Sequence, residues 1–380
     1  SIPMPSQTTT KTLTLTELLT HIVRMPTLSS DHATNNAALD WVQDQLHDLP
    51  LHLKRFEQSG RSSLVATTTG TKDPKNPRLW LLGHMDVVGI DDPALFTPVI
   101  RDGRLIGRGA FDMKYALAIF IKLFQDLGPE LADYDLGLII NTDEETDGRY
   151  GAGYLVEQGY RGQAVLNPEC GTPWHLDTGV KGCSFWHLTA KGAAAHGSRP
   201  WEGDNALDRL IRFVQEVQRH AVPEPCGDNR HLHHSITLSR LSGGNSFNQV
   251  AECAEADLDI RRLPGTSIEH IQAWIDEAKA AVPGVEATLT VQTDPFTVAE
   301  TKPVQLLRTI VKQVTGHPPV DMVAHGSGDS RHFAYHDIPV LILPGPGGNH
   351  HGPQEWMDLA GLEQYYTVVR QFAHDWAKTA

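Results

Sequence analysis

The stretch "LGLIINTDEETDG", residues 136–148, decides how this chain is read. Its opening run "LGLII" is wholly apolar, and three adjacent carboxylates, Asp143, Glu144 and Glu145, follow it. A short apolar run bounded by turn residues is the pattern of a strand buried on both faces, as in a parallel sheet covered by helices. Carboxylates at the mouth of such a strand are costly to desolvate unless a cation or strong donors meet them. Taken alone, the triplet reads as a solvated loop after a strand. The rest of the chain has to supply the partner.

Upstream, "DHATNNAALDWVQDQLHDL" places Ala38, Trp41, Val42, Gln45, Leu46 and Leu49 at helical spacing, with Ser30 or Asp31 positioned to cap. Strand-like runs "SSLVATT" and "RLWLLGHMDVV" come next, then the apolar helix "KYALAIFIKLFQDL". After the opening strand follow helix "GAGYLVEQG" and strand "QAVL". This alternation predicts an α/β domain with a mainly parallel sheet flanked by helices. From about residue 180 the order changes to strand "CSFWHLTA", helix "NALDRLIRFVQEVQRH", strands "HSITLSRL" and "AEADLDIRR", helix "SIEHIQAWIDEAKAAV" and strand "EATLTVQT". That β-α-β-β-α-β order predicts an inserted α+β ferredoxin-like domain. Helix "PVQLLRTIVKQV", strand "IPVLILPG" and helix "LEQYYTVVRQFAHDW" then return to α/β texture. The expected organisation is a catalytic domain in two parts, 1–179 and 296–380, around an insertion at 180–295.

Composition narrows the function. The 380 residues include 40% hydrophobic ones, enough for two cores, and 46 acidic against 32 basic residues give a formal charge of −14. That sign argues against a nucleic-acid partner. No apolar run approaches the roughly 18 residues of a membrane span, so no membrane partner is expected. The start "SIPMPSQTTTKTL" lacks the basic and apolar regions of a signal peptide, although a removed leader would leave no trace. Cys170, Cys183, Cys226 and Cys253 lack C-x-x-C spacing, so neither a thiolate zinc site nor a disulfide framework is expected. The expected location is a reducing cytoplasm.

In open α/β sheets, ligands bind outside the carboxyl ends of the strands. "LWLLGHMDVV" ends in His84 and Asp86, which alternate onto one face of a strand while Met85 turns away. His84 is thus a metal ligand in prospect, with Asp86 placed to orient its ring. "GRGAFDMK" offers Asp112 before a helix, "AVLNPECG" ends in Glu169, and "GPGGNHHGPQE" carries His350 and His351. Singly these are a helix cap, a loop acid and a surface histidine pair. Jointly they bring imidazoles and carboxylates to one rim, a donor set suited to Zn, Mn or Co and to attack on a carbonyl.

With these residues in view, the chain resembles the dizinc metallopeptidase family of aminoacylase, bacterial glutamate carboxypeptidase, acetylornithine deacetylase and succinyl-diaminopimelate desuccinylase. The stretches "GHMDVV", "GRGAFDMK", "TDEET", "NPECG", "AHGSRPWEGDNA", "LDIRRLPG", "GSGDSR" and "HHGPQE" run in the family's order over residues 83–355. The resemblance implies two divalent ions, zinc first, with cobalt or manganese as alternatives. It implies that His84 and Glu169 bind one ion, Glu145 and His351 the other, and that Asp112 bridges them. A histidine followed four residues later by glutamate selects His351, with Glu355, over His350. Glu144 is the implied general base. On an extended backbone, adjacent Glu144 and Glu145 would face opposite sides and so divide these tasks. The resemblance further implies a cis peptide after Asp112 and a homodimer through the inserted lid. There His196 would stabilise the oxyanion in a partner's site, and Asn248, Arg261 and Arg331 would grip a substrate carboxylate. Tyr115 and Gly89 depart from the family's usual Gly and Pro, and Glu169 follows Pro168 rather than preceding a proline.

The expected function is a dinuclear-metal amidohydrolase or exopeptidase. It would cleave an amide next to a free carboxylate in an N-acyl amino acid or short peptide, as a deacylase or carboxypeptidase. A dipeptidase of the same family is the alternative. A rival of another class is a non-catalytic binding or regulatory protein on the same fold. Metal content together with hydrolysis separates the two classes.

Overall fold

The computed structural model describes residues 12–379, so most of the polar start "SIPMPSQTTTKTL" lies outside the described residues. The described chain forms two compact units. The first comprises residues up to Asp177, Val298–Asp321, and Gly328 onward; the second comprises Thr178–Thr297 and Met322–Ser327.

The first unit is built on a six-stranded sheet in the order Leu51–Gln58, Arg61–Thr68, Leu136–Asn141, Leu79–His84, Val165–Asn167, Val340–Ile342. The first two junctions are antiparallel and the other three parallel. Leu136–Asn141 and Leu79–His84 lie in the middle and are buried along their whole length, which accounts for their unbroken apolar runs. Their register sets His84 beside Asn141. The parallel strands therefore deliver their following loops to one rim of the sheet.

Helix Lys114–Leu127 is apolar nearly all round, and it packs in the core with helices Leu15–Arg24, Lys302–Thr315 and Leu359–Ala377. Asp31 caps helix His32–Gln45 by accepting the Thr34 N–H. Helix Leu15–Arg24 was not anticipated, although Leu15, Leu18, Leu19 and Ile22 make an apolar stripe and Thr14 accepts the Glu17 N–H. A small antiparallel sheet, Gly347–Gly348, Trp356–Asp358, Arg104–Ile106, Val99–Arg101, is also new. It ties the loop carrying His350 and His351 to the turn before Asp112.

The second unit has the order strand Gly182–Lys191, helix Ala206–Gln218, strands Ser235–Gly243 and Cys253–Arg262, helix Ile268–Ala281, strand Val285–Thr293. Its sheet is antiparallel in the order Ser235–Gly243, Cys253–Arg262, Gly182–Lys191, Val285–Thr293, the ferredoxin-like arrangement. Trp186, Leu188, Leu258 and Ile260 of the sheet meet Leu210, Phe213, Ile271 and Ile275 of the helices in a separate core. Among the described residues, no helix is long and apolar enough to cross a membrane.

Candidate active site

His84 ends its strand with both ring nitrogens engaged. Nδ1 lies 2.9 Å from the Asp86 carbonyl and 3.3 Å from Asp86 Oδ1. Nε2 lies 3.1 Å from Asp112 Oδ1, 3.3 Å from Glu144 Oε2 and 3.4 Å from Glu169 Oε1. On the other side of Asp112, Oδ2 is 2.9 Å from His351 Nε2, which is also 3.3 Å from Glu145 Oε1. The two oxygens of Asp112 thus face two histidines. His84, Asp86, Asp112, Glu144, Glu145, Glu169 and His351 come together from five separate stretches of the first unit.

Each side chain is held by its surroundings. Asp86 is buried and accepts from Ser29 Oγ (2.8 Å) and from the backbone N–H of Glu144 (3.1 Å) and Glu145 (3.0 Å). It therefore fixes the acidic turn as well as the His84 ring. Asp143 lies beneath that turn, where Oδ2 accepts from Tyr150 N and Gly151 N, and burial pushes its carboxyl up to about 6. Asp147 is exposed.

Glu355 is buried, pairs with Arg108 at 2.9 Å, and accepts from the backbone N–H of Phe111 (2.9 Å) and Asp112 (2.8 Å). The peptide Asp112–Met113 is cis. Tyr115, where the family usually has Gly, donates to the carbonyl of Pro168 (2.7 Å) and accepts from Gly345 N (2.8 Å). It ties the loop leading into Glu169 to the loop beyond the edge strand. His351 has φ +62°, in the left-handed region that non-glycine residues rarely occupy.

One expectation is corrected. Glu144 and Glu145 do not lie on an extended backbone; Glu144–Thr146 is a 3-10 turn. Strand alternation therefore does not separate them. Their carboxylates diverge because Glu144 leans on His84 and Glu145 on His351. The chain turns here because the Asp143 carbonyl accepts from Thr146 N and Gly148 N.

The electrostatics call for cations. Burial raises Glu144 well above the usual carboxylate range, helped by Glu169, Glu145 and Asp112. Burial, then Asp112, takes Glu145 up to about 8. Burial opposes charge on His84, yet Glu144 and Glu169 hold it well above an ordinary histidine. Hydrogen bonds to Asp112 and Glu145 take His351 up to about 10. Protons alone thus neutralise the cluster, and buried Glu169 Oε2 has no hydrogen-bond partner. Atoms of His84, Asp112, Glu144 and Glu145 all lie within 4.8 Å of one another, as do those of Asp112, Glu169 and Cys170. Imidazole with several carboxylate oxygens is a donor set that fits zinc-class divalent ions.

A cleft of about 480 Å³ opens beside Glu145, lined by Ser29, His32, Arg61, Val87 and Gly89 among others. Arg331 is buried, and its guanidinium donates to the Asp147 carbonyl. The remaining expected residues belong to the second unit. His196 is exposed, and its Nδ1 accepts from Ser198 N at 3.2 Å, which leaves the proton of the neutral ring on Nε2. The carbonyl of Asn248 accepts from Gly197 N, and Asn248 Oδ1 accepts from Ser246 Oγ. Arg261 makes a two-pronged pair with Asp259 at 2.7 and 3.1 Å. The sequence reading missed Ser29 and Arg108 as supports. Their signal is faint: an arginine inside the Gly-rich "GRGAFDMK" and a serine far upstream.

Residues 80–375 match the sequence profile of peptidase family M20/M25/M40. The chain is 26% identical to an acetylornithine deacetylase of Pectobacterium atrosepticum, across 94% of this chain and 96% of that one. It is 30% identical to a probable succinyl-diaminopimelate desuccinylase of Staphylococcus epidermidis, across 65% of this chain and 67% of that one. Its fold matches an M20 family metallo-carboxypeptidase from Sulfolobus solfataricus with a TM-score of 0.77 at 15% identity, covering 95% and 99% of the two chains. The chain belongs to peptidase family M20/M25/M40 and is a metal-dependent hydrolase.

Proposed function

We propose that this amidohydrolase cleaves the amide next to a free carboxylate in N-acyl amino acids or short peptides, acting as a deacylase or carboxypeptidase. The reading rests on one observation above all. His84 and His351 flank Asp112, with Glu169 and Glu145 beside them, and Glu144 stands as an extra carboxylate 3.3 Å from His84. His84, Asp112 and Glu169 would hold one divalent ion; Asp112, Glu145 and His351 would hold the other. When bound, such ions supply Lewis acidity at the scissile carbonyl and at the attacking water. Zinc is the proposed metal, with cobalt or manganese as substitutes.

Glu144 Oε2 takes a proton from the attacking water and returns it to the leaving amine. Burial and neighbouring carboxylates raise its proton affinity, as the second half of that cycle requires. Asp86 holds Glu144 and Glu145 by their backbone N–H groups, so the base and its neighbour keep a fixed spacing. His196, with its proton on Nε2, is the proposed donor for the developing oxyanion in a partner subunit's site. Asn248, Arg261 and Arg331 are proposed carboxylate-binding groups; Arg261 would exchange Asp259 for substrate.

The sheet edge strand Ser235–Gly243 is mostly exposed and is paired on one side only, which supports a homodimer formed by pairing across that edge. No disulfide joins Cys170, Cys183, Cys226 or Cys253, which supports a reducing, cytoplasmic location. A panel of acetyl-, succinyl- and aminoacyl-amino acids, assayed on apo protein with metal restored, tests the reading. Turnover of acyl substrates without a free α-amine is the expected result. Turnover confined to dipeptides with a free α-amine would assign a dipeptidase instead.

A further inference from the structure

The connection 219–234 in the second unit joins helix Ala206–Gln218 to strand Ser235–Gly243 with turns alone. Connections of this length without secondary structure need something to hold them. Within it, Glu224, Cys226, His231 and His233 offer ligand atoms that all lie within 4.8 Å of one another. His231 Nδ1 is 3.2 Å from Cys226 Sγ and 3.1 Å from Glu224 Oε1, and His233 Nε2 is 2.9 Å from the same oxygen.

The far sides of Glu224 and His233 are already occupied. Glu224 Oε2 accepts the Cys226 N–H (3.1 Å), which leaves Oε1 for the cluster. His233 Nδ1 is 2.9 Å from the His234 carbonyl and donates to it, so the neutral ring presents a bare lone pair at Nε2. That Nε2 is enclosed and makes no hydrogen bond of its own, although Glu224 Oε1 lies 2.9 Å away. Cys226 Sγ accepts the Asp228 N–H and its thiol donates to the Asp228 carbonyl, both at 3.4 Å. Lys181 Nζ donates to the His231 carbonyl at 2.9 Å and fixes that end of the loop.

Without an ion these groups share protons, His231 Nδ1 with Glu224 Oε1 and Cys226 Sγ, and a divalent cation among them would take the place of those protons. Around tetrahedral zinc, neighbouring N, O and S ligands stand roughly 3.3–3.6 Å apart, a few tenths wider than the separations found here. One thiolate, one carboxylate and two neutral imidazoles also balance a divalent charge. We propose that Glu224, Cys226, His231 and His233 form a mononuclear site for a zinc-class divalent cation, separate from the carboxylate-rich rim, which closes this connection. It does not depend on the substrate reading above.

The test uses the full chain, stripped of metal under reducing conditions and titrated with cobalt. A thiolate-to-cobalt charge-transfer band should appear in the near ultraviolet, disappear on adding zinc, be absent in Cys226→Ser and persist in Cys170→Ser. Zinc bound at saturation should fall by one ion per chain in Cys226→Ser, with hydrolysis rates unchanged. In the wild type, zinc should slow alkylation of Cys226 at least about tenfold. A missing band, a band that survives Cys226→Ser, or one lost only in Cys170→Ser would overturn the proposal. So would equal zinc content in wild type and Cys226→Ser.

Discussion

Two clusters of ionisable side chains in this molecule are held in opposite ways. The rim cluster of the first unit stands on the ends of buried strands, and its acids are fixed by backbone N–H groups and by the Arg108–Glu355 pair. The 224–233 cluster of the second unit stands on a half-exposed connection that is itself neither strand nor helix. A site built on a packed sheet is pre-shaped by the core, so loss of its metal should leave the residues in place. A site built on a loop has its shape to gain from the ion itself. Reactivity belongs with the first arrangement and tethering with the second.

The comparison breaks most visibly at Glu144. Glu144→Ala should keep the fold and the bound ions while lowering kcat by about a hundredfold or more, measured on any substrate found in the panel. Full activity in that variant would remove the proposed base. Glu355→Ala should come next. It leaves Arg108 buried without its carboxylate and frees the Phe111 and Asp112 N–H groups, at a cost of about 3–5 kcal/mol in urea unfolding. A cost below about 1 kcal/mol would mean that the core does not preset the rim.

Asp86→Asn tests the same idea at smaller scale. The amide cannot accept all of the Ser29, Glu144 and Glu145 donors, so metal affinity or turnover should drop about ten- to a hundredfold. Titrations of metal against the variant would show it. The smallest effect concerns pH and His332, whose ring is pushed down to about 4 by burial, with Arg331 adding to the effect. A histidine whose folded pKa is lowered is neutral in the native state and takes up a proton on unfolding. Stability is therefore fully present above about pH 6.5 and declines as pH falls toward 4. Wild type should lose about 2 kcal/mol more than His332→Gln between pH 6.5 and 4.5, read from urea midpoints. Parallel pH curves for the two proteins would contradict it.

Legibility in the sequence follows the same division. The buried strands and the Lys114–Leu127 helix were readable because a core imposes long apolar patterns, and the helix ends where the pattern ends. The β-α-β-β-α-β order was readable for the same reason, since Cys253–Arg262 alternates in burial along its length. What failed was short or bent. Val99–Arg101 is exposed at every residue and carries no periodicity, so the small sheet it belongs to left no pattern. The turn at Glu144 was read as extended because acidic residues announce neither strand nor 3-10 geometry. Cys226 carries no C-x-x-C signal in the sequence, because its neighbours are glutamate and histidine, two residues before it and five and seven after.

The small sheet Gly347–Gly348, Trp356–Asp358, Arg104–Ile106, Val99–Arg101 has a consequence for synthesis. It joins a segment made early to one made more than 240 residues later, and it carries His351 to Asp112. The edge strand Val340–Ile342 completes the main sheet at a similarly late stage. A growing chain on the ribosome therefore holds His84, Asp112 and Glu145 long before it has the second histidine. The rim stays incomplete until His351, in the last tenth of these residues, has emerged.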